Sequence, residues 1–487
     1  ADVVGATLSE LMILFCRQTP FRHIQEQTPV AQHMLERAVE GLVNAIELKQ
    51  GQDQEGSATS RTDEHQAFLH YMLDGLRELL QLMYAMRVTH IHPWKLTSPH
   101  GLLKRVLAVS RDQLISWVNL RYAGHVGLSI RSDVQELEHS TRDCCVDILG
   151  WTLKFSTADV DVNNTSSGAG GGGDTALQQA YLEEVLPLLE GILTSNLTSA
   201  AAAPLLMVPV LGLLDAIQCI PIVRVQVAQL LLPQLLRIWE CESLAVPCIY
   251  GLGICVQHGQ VQDVGQVSAA LMTLVRVLGL DSTAQPVQLE LDEEQSGLFH
   301  NNAVASLLRL AIYARVMIGS EMAIQMLSIG LDELPLTADI TEAKVVHEWF
   351  IAMIVTRDPM LFDTNIQLIQ GATCFRVAAA LVLLVTTALI KQRGISSDMF
   401  SSAKSLKKGS KSKKKAGNAG WAAGEEDEFW AEQVANKSTY MAARALVQAS
   451  LQPAIDPEIM AAIASFSKKQ QAVLQQLGSP ILSGLLE

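Results

Sequence analysis

Two short runs contain residue types that could bind a metal or a phosphate. His90 and His92 lie two residues apart in the run HIHPW, but no cysteine or acidic residue lies close by in sequence to complete a metal coordination shell. The glycine-rich run Gly168–Gly173 lacks the Lys-Ser/Thr pair of a phosphate-binding loop and follows no predicted strand. We therefore expect a turn before a helix at the histidines and a linker at the glycines.

The eight cysteines show no CxxC spacing, so buried, reduced thiols are expected. Cys241, Cys248 and Cys255 recur every seven residues and would share one helical face, but Pro247 and the ECES turn should interrupt that helix. The adjacent pair Cys144–Cys145 is too close for an ordinary disulfide and lies on an apolar helical face. These patterns favour core packing over metal binding.

The sequence contains neither the GxSxG motif of a nucleophile elbow nor the HExxH motif of a zinc protease. A triad scattered along the chain would leave no such local signature. With no catalytic constellation and no cofactor-binding motif, we predict that the protein is not an enzyme and needs no cofactor.

Charge is distributed unevenly along the chain. The net charge is −14, yet the run Lys404–Lys415 holds seven lysines and no acid. Without that run, 29 basic residues stand against 50 acidic ones, a balance of −21. An acidic body repels nucleic acid and favours basic protein partners, although acidity also keeps a large apolar protein soluble.

The lysine run could bind nucleic acid or anionic lipid, resemble a localisation signal held by the acidic body, or form a solvated loop. No aromatic residue interleaves it, so base stacking is not indicated and no nucleic-acid partner is predicted. The acidic clusters Glu290–Glu294 and Glu425–Glu428 are more typical of solvated loops than of docking sites.

Apolar residues recur at helical spacing along the whole chain, with no convincing strand pair. The predicted helices are Ala31–Glu47, His65–Met86, Leu102–Val118, Ser132–Lys154, Leu177–Leu193, Leu205–Cys219, Val223–Trp239, Leu244–Gln257, Val264–Leu278, Leu298–Ala314, Glu321–Glu333, Ile340–Val355, Asn365–Lys391, Phe429–Gln448 and Pro457–Leu477. The most apolar stretch, Val377–Ile390, is too short for the roughly 20 residues that span a bilayer, so no membrane insertion is predicted.

The helices are joined by short turns, and a helix pair recurs about every 40 residues, which is the HEAT or armadillo range. We therefore predict an all-α HEAT-repeat solenoid, with a globular bundle as the alternative. The predicted parts are HEAT repeats over 1–155 with a flexible insert at 51–61, a Gly/Ser-rich insert at 156–175, HEAT repeats over 176–395, a Lys-rich insert at 396–424 and terminal capping helices at 425–487.

From Leu177 onward, five blocks resemble the importin-β (karyopherin-β) nuclear transport receptors, most of all their importin beta-3 branch. They are AYLEEVLPLLEGIL (180–193), PCIYGLGICVQHGQ (247–260), HNNAVASLLRLAIY (300–313), LPLTADITEAKVVHEWFIAMI (334–354) and MAAIASFSKKQQAVLQQL (460–477). The first ~130 residues fit more loosely, as earlier repeats of one superhelix should. The resemblance is to the C-terminal half of such a receptor, and the three inserts depart from the branch.

The resemblance implies a monomeric receptor segment that binds basic cargo proteins and Phe-Gly nucleoporins. It implies release of cargo by the GTPase Ran, whose main surface would lie in N-terminal repeats that this chain is expected to lack. The cytoplasm, the nucleus and the nuclear pore are the locations implied. A HEAT scaffold outside transport, of the phosphatase-regulatory or chromosome-organising kind, is the alternative.

Acidic residues near the late inter-helix turns are the predicted contacts for a basic partner, together with one aromatic residue. The set is Asp332, Glu333, Asp339, Glu342, Glu348 and Trp349. Reversal of the charge at Glu342 and Glu348 is expected to weaken binding of a basic peptide.

Overall fold

The computed structural model describes residues 37–48, 63–88, 105–115, 132–157, 175–195, 203–280, 287–358, 371–392, 429–430, 433–451 and 457–475. Within these ranges 87% of residues are helical and none is in a strand. The prediction of an all-α protein is therefore confirmed for the described part of the chain.

The described residues form a series of helices. In chain order they are α1 (37–48), α2 (Asp63–Val88), α3 (105–115), α4 (Ser132–Thr157), α5 (Thr175–Ala180, a π-helical turn Tyr181–Val185 and Leu186–Ser195), α6 (Ala203–Cys219), α7 (Arg224–Ile238), α8 (Glu242–His258), α9 (Val264–Val277), α10 (Glu293–Tyr313), α11 (Arg315–Ile318), α12 (Ser320–Asp332), α13 (Ile340–Thr356), α14 (Gly371–Gln392), α15 (Lys437–Ser450), α16 (Pro457–Ser465) and α17 (Lys468–Gln475). A 3₁₀ turn, Pro221–Val223, connects α6 to α7.

Two predicted helices are each interrupted. Phe429–Gln448 was expected to be continuous, but α15 begins only after Asn436, whose side chain caps it by accepting from the Thr439 amide at 2.8 Å. Pro457–Leu477 divides into α16 and α17 at Ser467. There the Gln470 amide donates to the serine hydroxyl (3.3 Å) and the Ser467 amide donates to the Gln470 side chain (2.9 Å). Such a reciprocal capping box starts a new helix.

The inserts predicted at 51–61 and 396–424 lie outside the described residues, as do 158–174 of the third insert. Residues 156, 157 and 175 of that insert belong to α4 and α5. His90, His92, the lysine run and Glu425–Glu428 also fall outside the described ranges.

Contacts divide the chain into two units, Ala1–Gln234 and Leu235–Glu487. In the first unit α2 packs on α4, α4 on α6, and α5 on α6. Tyr181 of α5 is fully buried and its hydroxyl donates to the Gly212 carbonyl of α6 at 3.0 Å. Arg224 donates to the carbonyls of Ile217 and Gln218 (both 2.8 Å), and it thus satisfies free carbonyls at the C-terminal end of α6.

In the second unit α10 is the central helix, since α8, α9 and α12 all pack against it. Two glycines let its neighbours approach closely. A Cβ atom on Gly253 of α8 would lie 2.8 Å from the Cα atom of Ser306, and one on Gly330 of α12 would lie 2.7 Å from the Cδ2 atom of Leu308. Every residue from Asn301 to Ile312 is buried as a result.

The helix pairs in substantial contact, within the described ranges, lie at most three places apart in chain order. The α14 helix, for instance, packs on α12, α15, α16 and α17. Contacts of this kind are local in sequence, in contrast with folds that bring distant elements together.

No single helix among the described residues is long and apolar enough to cross a bilayer. The segments Leu206–Cys219 and Pro221–Ile238 reach that length and composition only when taken together, across a bend of 112°.

Candidate partner-binding site

Four of the six residues predicted to contact a partner (Asp332, Glu333, Asp339 and Glu342) lie in or beside the turn between α12 and α13, residues 333–339, which we call the α12–α13 turn. Glu348 and Trp349 lie farther along α13. Three side chains hold the backbone of the turn. Asn301 of α10, with its amide oxygen facing the turn, accepts from the amides of Thr337 (3.1 Å), Ala338 (2.7 Å) and Asp339 (3.2 Å). Asp339 caps α13 by accepting from the Glu342 amide at 2.9 Å. Four otherwise free backbone donors are thereby satisfied, which fixes the turn.

His347 of α13 is the third side chain. It is 1% exposed, its Nε2 atom accepts from the Leu336 amide at 3.1 Å, and its Nδ1 atom donates to the Val434 carbonyl at 2.8 Å. Burial lowers the pKa of His347 to about 4, and the bond to Val434 opposes that shift. A neutral ring protonated on Nδ1 is the tautomer that makes both bonds.

Asp332 and Glu333 lie at the end of α12 and are exposed. Asp332 pairs with Arg376 of α14 at 2.5 Å, and Glu333 lies 3.3 Å from the Nε2 atom of His300 on α10. Both carboxylates keep about half or more of their surface in solvent, so these contacts are weak and leave each group accessible.

Glu342 is not a surface residue. Its side chain is 4% exposed and forms an ion pair with Arg309 of α10, which is equally buried. Burial raises the pKa of Glu342, and the Arg309 charge opposes that shift. A carboxylate enclosed in this way cannot contact a partner protein. The prediction that Glu342 binds a partner is therefore wrong, and the residue has a structural role instead.

Arg309 also contacts two residues of α8. It donates to Gln257 of α8 at 2.7 Å, and its guanidinium lies 5.9 Å from the ring centre of Tyr250. The pair therefore joins α8, α10 and α13 through one buried charge network. An internal ion pair of this kind is weak evidence for stability, but loss of one partner is costly.

Trp349 and Glu348 complete the set on α13. Trp349 is half-buried and stacks on Tyr313, with ring centres 6.0 Å apart and planes 16° from parallel. Glu348 is exposed and accepts from the Asn436 amide group at 3.0 Å. Because Asn436 also caps α15, the Glu348 carboxylate is positioned by a second helix.

Sequence reasoning missed the buried polar residues of α10, the helix that supports the site. Asn302, Ser306 and Arg309 recur at i, i+4 and i+7 on α10, a stripe that a simple amphipathic interpretation assigns to solvent. All three are buried, and Ser306 donates to the Ile249 carbonyl at 2.7 Å. The available signal was the even distribution of apolar residues around α10, which indicates a helix buried on every side.

The cysteines behave as small core residues. Six of the seven described cysteines are buried as free thiols, and Cys241 is half-buried. Cys241 precedes α8 as its N-cap residue, whereas Pro247 lies inside α8 and does not interrupt it, contrary to the sequence-based expectation. Within the described ranges, no group of three or more His, Cys, Asp or Glu side chains could hold a metal ion.

Comparison with known proteins adds no assignment: no protein-family model matches the sequence, and no curated protein matches it at a significant level.

Proposed function

We propose that this chain is a HEAT-type α-solenoid and a segment of a nuclear transport receptor of the importin-β kind. The observation that supports the architecture is the contact pattern, in which substantial helix contacts lie at most three places apart within the described ranges. In a repeat stack each unit packs only on its neighbours, which produces such a pattern. The five resembling blocks from residue 180 to residue 477 support the kind of receptor.

Basic proteins are the proposed cargo, and binding is the proposed activity in place of catalysis. Apart from the lysine run the chain has 29 basic and 50 acidic residues. Asp332 and Glu333 are exposed at the α12–α13 turn, and Glu348 is exposed on α13. Their carboxylates would accept charge-assisted hydrogen bonds from lysine and arginine side chains. Arg376 and His300, which now contact the first two, would be displaced.

Phe-Gly nucleoporins and Ran are the other proposed partners. Grooves between neighbouring helices would hold phenylalanine side chains weakly and many at a time, so that avidity gives the affinity. A Ran-GTP complex would release cargo if it favoured a different curvature of the stack, through linkage between the two sites. The protein would then move between cytoplasm and nucleus through the pore.

The test is binding of the chain to immobilised Phe-Gly repeats, with Ser-Gly repeats of equal length as the control. A fluorescent basic localisation-signal peptide is titrated in parallel. Retention on Phe-Gly but not Ser-Gly repeats, with binding of the peptide, is the expected result. Failure of both assays with a folded helical protein would overturn the proposal and favour a HEAT scaffold outside transport.

The α12–α13 turn makes a specific prediction within that test. Glu333→Lys should weaken binding of the basic peptide about threefold or more at low salt, because an accessible carboxylate becomes a like charge. Glu321→Lys, an exposed position at the start of α12, is the matched control for net charge. Equal affinities of the two variants would show that net charge alone, and not this turn, attracts the peptide.

A further inference from the structure

One face of α13 is exposed to solvent. Five residues lie along the middle of this face, and three of them are apolar. Thr341, Val345, Glu348, Ala352 and Val355 are all exposed, and the side chains of Val345 and Val355 retain 50% and 52% of their accessible surface. The steps between these residues are four, three, four and three. We call this the α13 outer face.

That spacing is the seam of a coiled coil, in which apolar side chains recur every 3.5 residues. The opposite side of α13 already packs into the protein through Val346, Phe350 and Met353, which are buried. The helix therefore has two stripes, and only the inner one is covered by described residues. Single exposed apolar residues are ordinary on a protein surface, but a regular seam of four turns fits a second helix.

Glu348 lies at the middle of the seam and determines what can cover it. Asn436 donates to one carboxylate oxygen at 3.0 Å, which orients the group without neutralising its charge. Among the described residues, no Lys, Arg or His forms an ion pair with Glu348. A helix that covers the seam must therefore supply the compensating charge, because a buried, unpaired carboxylate is strongly unfavourable.

A second copy of this chain does not supply that charge. Glu348 is the central residue of the seam, so a pair of α13 helices in register, whether parallel or antiparallel, would place one Glu348 against the other. The segment 359–370 that follows α13 carries Asp363 and no lysine or arginine. Neither occupant is complementary to the seam.

We propose that the α13 outer face is a docking surface for an amphipathic helix of a partner protein that places a lysine or arginine opposite Glu348. The inference rests on the proposed function, because it names the form in which one basic partner is bound. Val345 and Val355 would bury apolar surface at the two ends of the contact. The small side chain of Ala352 would allow the helices to approach closely near the centre, as small residues do where helices pack tightly.

The experiment uses the full chain and three synthetic peptides of three heptads. The peptides carry leucine at the seam positions and differ only in the central seam residue, which is arginine, glutamine or glutamate. Binding is measured by fluorescence anisotropy at low and at physiological salt. The arginine peptide should bind best and the glutamate peptide about tenfold more weakly, since a charge pair is replaced by a like-charge contact.

Variants of the chain locate the contact. Glu348→Arg should reverse the preference between the arginine and glutamate peptides, and Glu348→Gln should reduce the difference between them. Val345→Asp with Val355→Asp should abolish binding of both peptides. Val316→Asp, at a residue of α11 that is 93% exposed, should change nothing.

Absence of saturable binding by the arginine peptide would overturn the inference, as would binding that the two α13 valine substitutions leave unchanged. These results are distinguishable from failure of the proposed function. Retention on Phe-Gly repeats without peptide binding would contradict only the inference that the α13 outer face is a docking surface. Peptide binding at that face without retention on Phe-Gly repeats would contradict the proposed transport role but support the docking surface.

Discussion

At the scale of single residues, His347 connects the α12–α13 turn to the segment before α15, and it does so only as a neutral ring. Its pKa is lowered from 6.5 to about 4 by burial. The unfolded chain, in which the ring has its ordinary pKa, therefore takes up a proton first as pH falls. Stability from this residue is fully present above about pH 6.5 and is lost progressively as pH falls towards 4.

The measurement is the free energy of unfolding in urea between pH 7 and pH 4.5, for the wild type and for His347→Gln. The wild type should lose on the order of 2–4 kcal/mol more than the variant over this window, the size expected for such a pKa difference. His300→Gln, which changes an exposed histidine of α10, is the control and should leave the slope as in the wild type. Equal slopes for His347→Gln and wild type would contradict the assignment.

The Arg309–Glu342 pair supports a second prediction at this scale. Glu342→Leu should destabilise the protein by about 3–5 kcal/mol, because it leaves a guanidinium buried without a counter-charge. Addition of Arg309→Met should recover most of that loss, since an apolar pair needs no compensation. Urea unfolding followed by far-UV circular dichroism reports the change, and simple additivity of the two effects would contradict it.

At the scale of helices, the two close contacts of α10 differ in what a new methyl group would meet. On Gly253 it would meet the backbone of Ser306, with the Cα atom 2.8 Å away, whereas on Gly330 it would meet only the flexible Leu308 side chain. Gly253→Ala should therefore destabilise by about 1–3 kcal/mol, in the range of overpacked cores, and Gly330→Ala by less. Thermal unfolding midpoints measure both.

Gly191 provides the matched control for these substitutions. It lies in α5 and a Cβ atom there would have no neighbour within 4 Å. Because alanine is the better helix former, Gly191→Ala should stabilise by about 0.5–1 kcal/mol. A loss of stability at Gly191 equal to that at Gly253 would mean that helix packing around α10 is not the cause.

The cysteines of α8 provide another test at the helix scale. Cys248 and Cys255 are fully buried and burial raises the pKa of each thiol, so little thiolate is available for reaction. Cys241, at the start of α8, is half-buried. Iodoacetamide at pH 8 should modify Cys241 in the native protein, and Cys248 and Cys255 only in denaturant. Peptide mass spectrometry would identify the modified residues. Labelling of Cys255 in the native protein would mean that α8 opens locally.

At the scale of the whole molecule, helical periodicity was sufficient to predict the all-α class and the approximate positions of most described helices. The breaks at Asn436 and Ser467 were missed because each depends on one or two capping bonds, which interrupt an apolar pattern without altering it. The candidate site was predicted only in part. Glu348 lies on the exposed stripe of α13 and Glu342 on the buried one, with Val346 and Phe350.

That difference between the two glutamates was accessible to periodicity, but the identity of their partners was not. Arg309 lies 33 residues before Glu342, and Asn436 lies 88 residues after Glu348. Pairing over such separations is decided by how the helices pack, which no local pattern encodes. For the same reason Asn301 gave no sign that it holds the α12–α13 turn.

The burial of residues 301–312 of α10 has a consequence for how the chain folds during its synthesis. The ribosome releases α8 and α9 first, then α10, and only afterwards the α12 helix that covers its remaining side. Until residue 332 has emerged, the side of α10 that packs against α12 has no native cover, and until residue 342 has emerged the buried Arg309 has no Glu342 to pair with. Nascent chains that pause in this interval should be the ones that chaperones bind, and a truncation between α10 and α12 should be insoluble where one after α13 is not.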